Sequence, residues 1–432
     1  MAIRQSLQGL GSVLAGTLLR GSSSVFSQFL RNLKTPPEAK KKETRATMGE
    51  TEIKKNRVEL HLHLDGAVRP STLLDAAKRR GIPLPADTIE GLLPHVSMDR
   101  PDSLVAMIKV FKFFIPIIQG DGETIKRIAY ELCEDQAKHG VLYFEARYCP
   151  HFLTQSKLGQ TIWDCPAPPT FFTQTQTSTK RLLKKILLHA PLKLRRYKTM
   201  ELTPTEVVEL VNSGLNEGSR DFGVKARSIL CLIRDNPEFS MEMVQLCDRF
   251  RNQGVVAIDL AGNEVGDMAT NAEHIKAFQE AKRLGIHRTV HAGEIGGPDK
   301  VEEAVFKMDA ERIGHGYHIL EDPQLYAKLR DMNMHFEVCP VSSYITGAVP
   351  PNYKEHPALS FAKDGANFSI NSDDPSVFRT HLSREYDLIR EHWNFDDKLI
   401  AQLNLNAAEA CFLPQDEKTK LIQQVKEAHG IQ

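Results

Sequence analysis

No stretch of this 432-residue chain approaches the roughly 20 consecutive apolar residues of a membrane span. Paired cysteines are also missing. The seven present (133, 149, 165, 231, 247, 339 and 411) are odd in number and scattered, with no Cys-x-x-Cys. That leaves no disulfide framework and no zinc knuckle, and fits reduced thiols inside a cell. Net charge is lacking as well, since 55 Lys and Arg balance 55 Asp and Glu. The balance is uneven along the chain, however. Residues 1–47 hold eight basic residues against two acids, and residues 165–200 hold eight against none. The remainder carries 39 basic against 53 acidic residues. A body that acidic argues against nucleic-acid binding as the core activity.

Acids are absent from residues 1–37, where Arg4, Arg20, Arg31 and Lys34 are spread among Ser, Leu and Gly. This is the composition of a mitochondrial transit peptide. A secretory signal fits less well, because Gly9, Gly11 and Gly16 break the apolar run from Leu7 to Leu19. In a third reading Met48 is the usual start and the upstream segment is a variant extension. On each reading residues 1–55 stay outside the fold, and residues 56–432 form the folded domain. The expected location is cytoplasmic, or mitochondrial if residues 1–47 act as a transit peptide.

From Arg57 onward, strand-like runs alternate with helical patterns. The strand-like runs are 57–63, 140–147, 222–232, 254–261, 286–292, 311–316, 334–340 and 366–372. Helical periodicity fills the gaps, at 122–139, 203–219, 240–252, 271–284, 299–309, 322–332 and 356–364. Several of these end in a capping glycine, such as Gly140, Gly254 and Gly285. Eight such repeats predict a parallel sheet closed into a (β/α)8 TIM-type barrel. An open doubly wound sheet is the competitor, but no Gly-x-Gly-x-x-Gly follows any of these runs.

Two segments depart from the alternation. Residues 65–121 exceed one crossover helix and carry Met107, Ile108, Phe111, Phe113 and Phe114 on a helix-like run. Extra helices are therefore expected after the first strand, either as core or as the wall of a site at the C-terminal face of the barrel. Residues 164–200 form a basic insertion, Pro-rich, then Thr/Gln-rich, then containing KRLLKKILL. It reads as a solvated insertion, with a basic amphipathic helix on a membrane or partner as the alternative.

Chemistry-bearing residues fall at the strand ends, where barrel active sites are built. His61 and His63 alternate on one face of the first strand. His291 and Glu294 follow the fifth strand, His315 the sixth, and Asp373 with Asp374 the eighth. Three histidines and a carboxylate from three strand ends make a nitrogen and oxygen ligand set. Such a set suits zinc, with iron, cobalt or nickel admissible on ligand chemistry alone. Zinc there would lower the pKa of bound water to about 7. His315 is placed to accept or steer that water's proton, or else is an ordinary loop histidine between two glycines. Glu294 is either a proton donor whose pKa burial raises, or a partner that orients a ligand histidine. This chemistry reaches metal-assisted hydrolysis and stops short of a substrate.

The motifs VELHLHLDG, FGVKARSILC, VVAIDLAGNE, HRTVHAGE, RIGHGYH, HFEVCPVSSYITG and SINSDDP resemble, in order, the motif series of the adenosine deaminases. The match runs from about Arg57 to about Glu427 and omits the basic insertion. The resemblance implies one zinc per chain, held by His61, His63, His291 and Asp373. It implies that Glu294 protonates N1 of a purine, that His315 is the base or electrostatic orienter, and that Asp374 meets N7. Gly262 would meet N3, and Asp65 the ribose 5′-hydroxyl, where an anion repels a 5′-phosphate. Asp65 as a simple turn residue before Gly66 is the alternative. The expected reaction is deamination of adenosine and 2′-deoxyadenosine, so the expected partner is a purine nucleoside. Two rivals stand: a deaminase of AMP or N6-substituted AMP, and a catalytically compromised variant acting as a binding protein. The sequence leaves open whether a cell-surface protein partner exists. It departs from the family pattern at Val341, where Trp is frequent, and at Ser372, where Thr is usual. Met107 and Val110 are expected to make a softer apolar wall beside the site.

Overall fold

The computed structural model describes residues 55–154, 202–264 and 271–432. The segment before residue 55 and the basic insertion at 164–200 lie outside the described residues. All eight expected strands form: β1 Arg57–His63, β2 Val141–Tyr148, β3 Lys225–Ile233, β4 Val255–Ala261, β5 His287–Ala292, β6 Arg312–His315, β7 His335–Val338 and β8 Asn367–Ile370. They pair in parallel in sequence order. Closure onto β1 comes from residues just past β8. A bridge joins Leu62 to Asp373, His63 N donates to Asp373 O at 2.7 Å, and Asp373 N donates to His61 O at 3.1 Å. The seam of the barrel is thus made by the backbone of three proposed site residues.

Most strand limits shift by one or two residues from expectation, and two of the larger shifts have a plain local reason. The third strand starts at Lys225 because the preceding helix Pro204–Phe222 continues to Phe222 and ends on Gly223 at φ 61°. That left-handed cap forces the chain to turn before it can extend. The eighth strand stops at Ile370, since Asn371 spends its side chain on the neighbouring backbone. Its Oδ1 accepts from the N–H of Leu60 and of His61.

Alternate residues explain how the barrel is layered. On β1, Val58, Leu60 and Leu62 are fully buried toward the surrounding helices, while Glu59, His61 and His63 share the other face. The barrel interior carries paired charges where branched aliphatic residues are usual. Arg147 contacts Glu337 at 2.7 Å and Asp259 at 3.2 Å, and Arg312 contacts Glu337 and Glu145, each at 2.7 Å. All five side chains are essentially inaccessible. Burial of such charges is tolerable only because each is paired with an opposite charge.

The long segment after β1 folds into helices Pro70–Arg80, Ile89–Val96, Leu104–Ile118 and Gly122–Lys138. The third of these begins at Ser103, whose side chain accepts from Ala106 N. It crosses the C-terminal face of the barrel with its apolar side toward the strand ends. Among the described residues, no helix is long and apolar enough to cross a membrane.

Candidate functional site

The strand ends bring the predicted histidines and carboxylates into one cluster. One donor atom each from His61, His291, His315 and Asp373 lies within 4.8 Å of the others. His63 belongs to the same cluster: its Nε2 is 3.2 Å from His291 Nε2 and 3.3 Å from Asp373 Oδ1. His61 Nε2 is also 3.3 Å from Asp373 Oδ1. His315 Nε2 sits on the other side of that carboxylate, 3.8 Å from Oδ2 and 3.8 Å from Glu294 Oε2. The structure therefore collects five groups, with His61 and His63 at Asp373 Oδ1, His291 beside His63, and His315 near Oδ2 toward Glu294.

Which nitrogens face inward is decided by residues that the sequence motifs did not single out. His61 Nδ1–H donates to Glu337 Oε2 at 2.7 Å, and His291 Nδ1–H donates to Asp259 at 3.0 Å. Each imidazole is thereby held in the tautomer whose Nε2 lone pair points into the cluster. Arg147 ties the two orienting carboxylates together. Ser342 Oγ donates to Asp373 Oδ2 at 2.6 Å and leaves Oδ1 for the histidines. Asp259 and Glu337 did leave a trace in sequence, as lone acids within the apolar runs VVAIDLA and HFEVC. A charge at the centre of a buried strand needs a partner.

This donor set fits a metal ion. His61 Nε2 is fully buried and has no hydrogen-bond partner. Burial opposes its protonation, yet the carboxylates of Asp373 and Glu337 on its two sides draw its pKa up. A divalent cation at Nε2 would meet the same demand. Burial also opposes ionisation of Asp373, but the surrounding His61, His315 and His63 hold its pKa well down. The result is an anionic oxygen facing imidazole nitrogens, the donor chemistry of a zinc site without thiolate.

Neighbouring carboxyls are pushed the other way. Burial, reinforced by Asp373 and Asp65, raises the pKa of Asp374 well above the usual range. Burial, Asp373 and Glu264 do the same for Glu294. Two adjacent aspartates thus divide into one anion and one acid, and Glu294 is a second acid. His315 is kept neutral by burial. Its backbone lies at φ 64° and that of Asp373 at φ 60°, so both are held in a conformation rare for non-glycine residues. His315 Nδ1 lies 3.4 Å from the Tyr317 hydroxyl, which accepts from Cys339 N at 2.9 Å.

The cluster opens into a cleft holding about 820 Å³ of empty space, solvent at its mouth included, a size suited to a small molecule. Leu104, Met107, Ile108, Phe111, Ile115 and Phe152 form its apolar side. Met107 lines the cleft as expected, but Val110 does not and packs against the core instead. Phe113 leans on His95 and Phe114 is buried, so only part of the helix-like run faces the site. His63, Asp65, Gly262, His291, Glu294, His315, Asp373 and Asp374 all reach the cleft, while His61 lies beneath it. Burial raises the Asp65 carboxyl to about 6. Gly66 is required there, because a Cβ at that position would stand 1.8 Å from Asp374 Oδ1. Cys149 and Cys231 also line the cleft, but burial pushes both thiols up, which makes them poor nucleophiles. No Lys or Arg occurs among the described residues that line it.

Comparison with known proteins agrees with this geometry. A profile of the adenosine deaminase family matches residues 56–428. Adenosine deaminase of Gallus gallus is 46% identical over 375 residues, 87% of this chain and 96% of the relative. Among solved structures, the arabidopsis N6-mAMP deaminase is 26% identical with TM-score 0.67, over 87% of this chain and 98% of that one. A Zn-bound amidohydrolase from Burkholderia ambifaria shares the fold at TM-score 0.69 and 24% identity, over 87% and 90% of the two chains.

Proposed function

The chain belongs to the adenosine deaminase family, and from that membership we propose that it hydrolyses adenosine and 2′-deoxyadenosine to the inosine forms, releasing ammonia. The observation that carries this reading is that Glu294 and Asp374, buried carboxyls whose pKa values burial raises, share a cleft with the His and Asp cluster, with no Lys or Arg among its described lining residues.

The assignment gives one zinc ion per chain to His61, His63, His291 and Asp373, whose Nε2 and Oδ1 atoms converge. Zinc in such a site supplies the Lewis acidity that makes water a competent nucleophile near neutral pH. The chain's own groups do the rest. Glu294, protonated in its buried setting, donates to N1 of the purine and leaves C6 electron-poor. His315, a neutral imidazole, accepts or steers the proton of the attacking water. Asp374, also protonated, donates to N7 and fixes the ring. The Gly262 backbone meets N3, and Asp65 accepts the ribose 5′-hydroxyl. A C6–O bond forms and the C6–N6 bond breaks; one proton of the water leaves with the nitrogen as ammonia, and the other, shed as the C6 oxygen becomes a carbonyl, restores the Glu294 carboxyl.

A deaminase of AMP or N6-substituted AMP is the enzymatic rival, as the arabidopsis relative's name makes concrete. Asp65 and the absence of Lys or Arg among the described lining residues favour the nucleoside, because an anionic carboxylate repels a 5′-phosphate. The test follows the ultraviolet change when zinc-loaded protein meets adenosine or AMP. Adenosine should convert and AMP should not; turnover of AMP alone would reverse the assignment. A folded chain that holds no zinc would favour the binding-protein rival. The six described cysteines are free thiols, which supports a reducing compartment, with the cytoplasm as the proposed location.

A further inference from the structure

The motif VVAIDLAGNE contributes Gly262 to the site, but its last residue has no part in the reading above. Glu264 is 1% exposed and does not line the cleft. One of its oxygens, Oε2, accepts from three successive backbone N–H groups: Glu294 at 3.1 Å, Ile295 at 3.1 Å and Gly296 at 2.7 Å. These amides belong to the loop after β5 that carries the proton donor. Gly296 permits the approach, since a Cβ there would lie 3.0 Å from Glu264 Oε2 and 3.1 Å from Glu264 Cβ. On the other side of the loop, Arg234 Nη2 donates to His291 O at 2.6 Å.

We propose that Glu264 is a positioning residue for the deamination, clamping the backbone of Glu294–Gly296 so that the Glu294 carboxyl meets the purine N1. The proposal rests on the adenosine reading for its catalytic half and on the hydrogen bonds alone for the clamp. A carboxylate accepting three N–H groups is a strong, charge-assisted anchor. It spans two loops that share no ladder pairs at this level, because β4 and β5 pair only at Ala257 with His287 and Ile258 with Arg288. Arg234 on His291 O and His318 N on Gly293 O hold the start of the loop, but the anchor is what grips Glu294 to Gly296, and a displacement of about 1 Å can cost about 100-fold in rate. The same carboxylate adds negative charge behind Glu294, which helps it retain its proton.

The experiment compares wild type with Glu264→Gln and Glu264→Ala, all zinc-loaded. Amide exchange is read over residues 293–297, together with zinc content, kcat and KM for adenosine. In Glu264→Ala, exchange of the three amides should rise at least about tenfold. Its kcat should fall by about tenfold to a hundredfold, with KM and zinc content near wild type. Glu264→Gln keeps the size and one acceptor oxygen, so it should fall between the two and remain informative if the alanine variant fails to fold. Unchanged exchange in both variants would overturn the clamp. Faster exchange with unchanged kcat would overturn the positioning role, as would a loss of kcat that merely follows a loss of zinc. A zinc-loaded wild type that leaves adenosine intact would sink the adenosine reading and the catalytic half with it, while the exchange result still judges the clamp.

Discussion

Replacing Arg147 with Met tests the physical core of the site most directly. The Arg147 guanidinium is fully buried and holds Glu337 at 2.7 Å and Asp259 at 3.2 Å. Methionine is close in length and apolar, so the change removes the charge with little change in shape. Glu337 retains Arg312, also at 2.7 Å, while Asp259 keeps His291 at 3.0 Å and the Cys231 thiol at 3.4 Å but no guanidinium. Breaking a buried pair by removing one partner costs about 3–5 kcal/mol, because an uncompensated charge is left behind. Unfolding entropy of about 2.1 cal/mol/K per residue gives roughly 0.8 kcal/mol/K for a unit of about 380 residues. The expected drop in Tm is therefore about 4–6 °C. The same substitution frees the two carboxylates that orient His61 and His291, and loss of such orienting groups typically weakens metal binding by about 10–100-fold. Scanning calorimetry of the metal-free chain and competition with a zinc chelator measure the two effects separately. A Tm within about 1 °C of wild type, with unchanged zinc affinity, would refute the view that these charges hold the site.

Four further outcomes are expected. Glu294→Gln should keep zinc and substrate binding yet lose about 100–10,000-fold in kcat, and near-normal turnover would remove Glu294 as the acid. His291→Ala should lose zinc together with activity, and stoichiometric zinc by elemental analysis would remove it as a ligand. Burial, Asp373 and Glu264 raise the pKa of Glu294, so its proton persists to higher pH than on a free carboxyl and is lost as pH climbs through the folded value. The kcat/KM profile should thus fall on its alkaline side, and a profile flat into the alkaline range would count against this group. Glu385 is buried beside Thr380 and the Val341 amide, with burial raising its carboxyl to about 8 from 4.5. Because the folded state holds the proton more tightly, its contribution is full below about 4.5 and is lost as pH rises to about 8, a swing of ~5 kcal/mol. Glu385→Gln should accordingly match wild type near pH 4 and melt higher at pH 8.5. Parallel melting curves across that range would contradict it.

The eight strands and most of the His and Asp cluster were legible in the chain because both rest on local pattern. Alternation of apolar runs fixes a parallel barrel, and barrel geometry sends the ends of its strands to one face. His61, His63, His291, Glu294, His315, Asp373 and Asp374 all sit at such ends, so their meeting follows from order and spacing. The family motifs added roles to residues whose position the pattern had already implied. Tertiary structure alone decided which protons they carry. Whether an aspartate is an anion or an acid depends on what lies within a few ångströms, and Asp373 and Asp374 are neighbours in sequence with opposite shifts. The tautomers of His61 and His291 come from Glu337 and Asp259, acids far away in the chain. Closure of the barrel depends on the backbone of Asp373 reaching β1, a contact made across more than 300 residues. Periodicity describes a residue by its near neighbours along the chain, whereas electrostatics describes it by its neighbours in space.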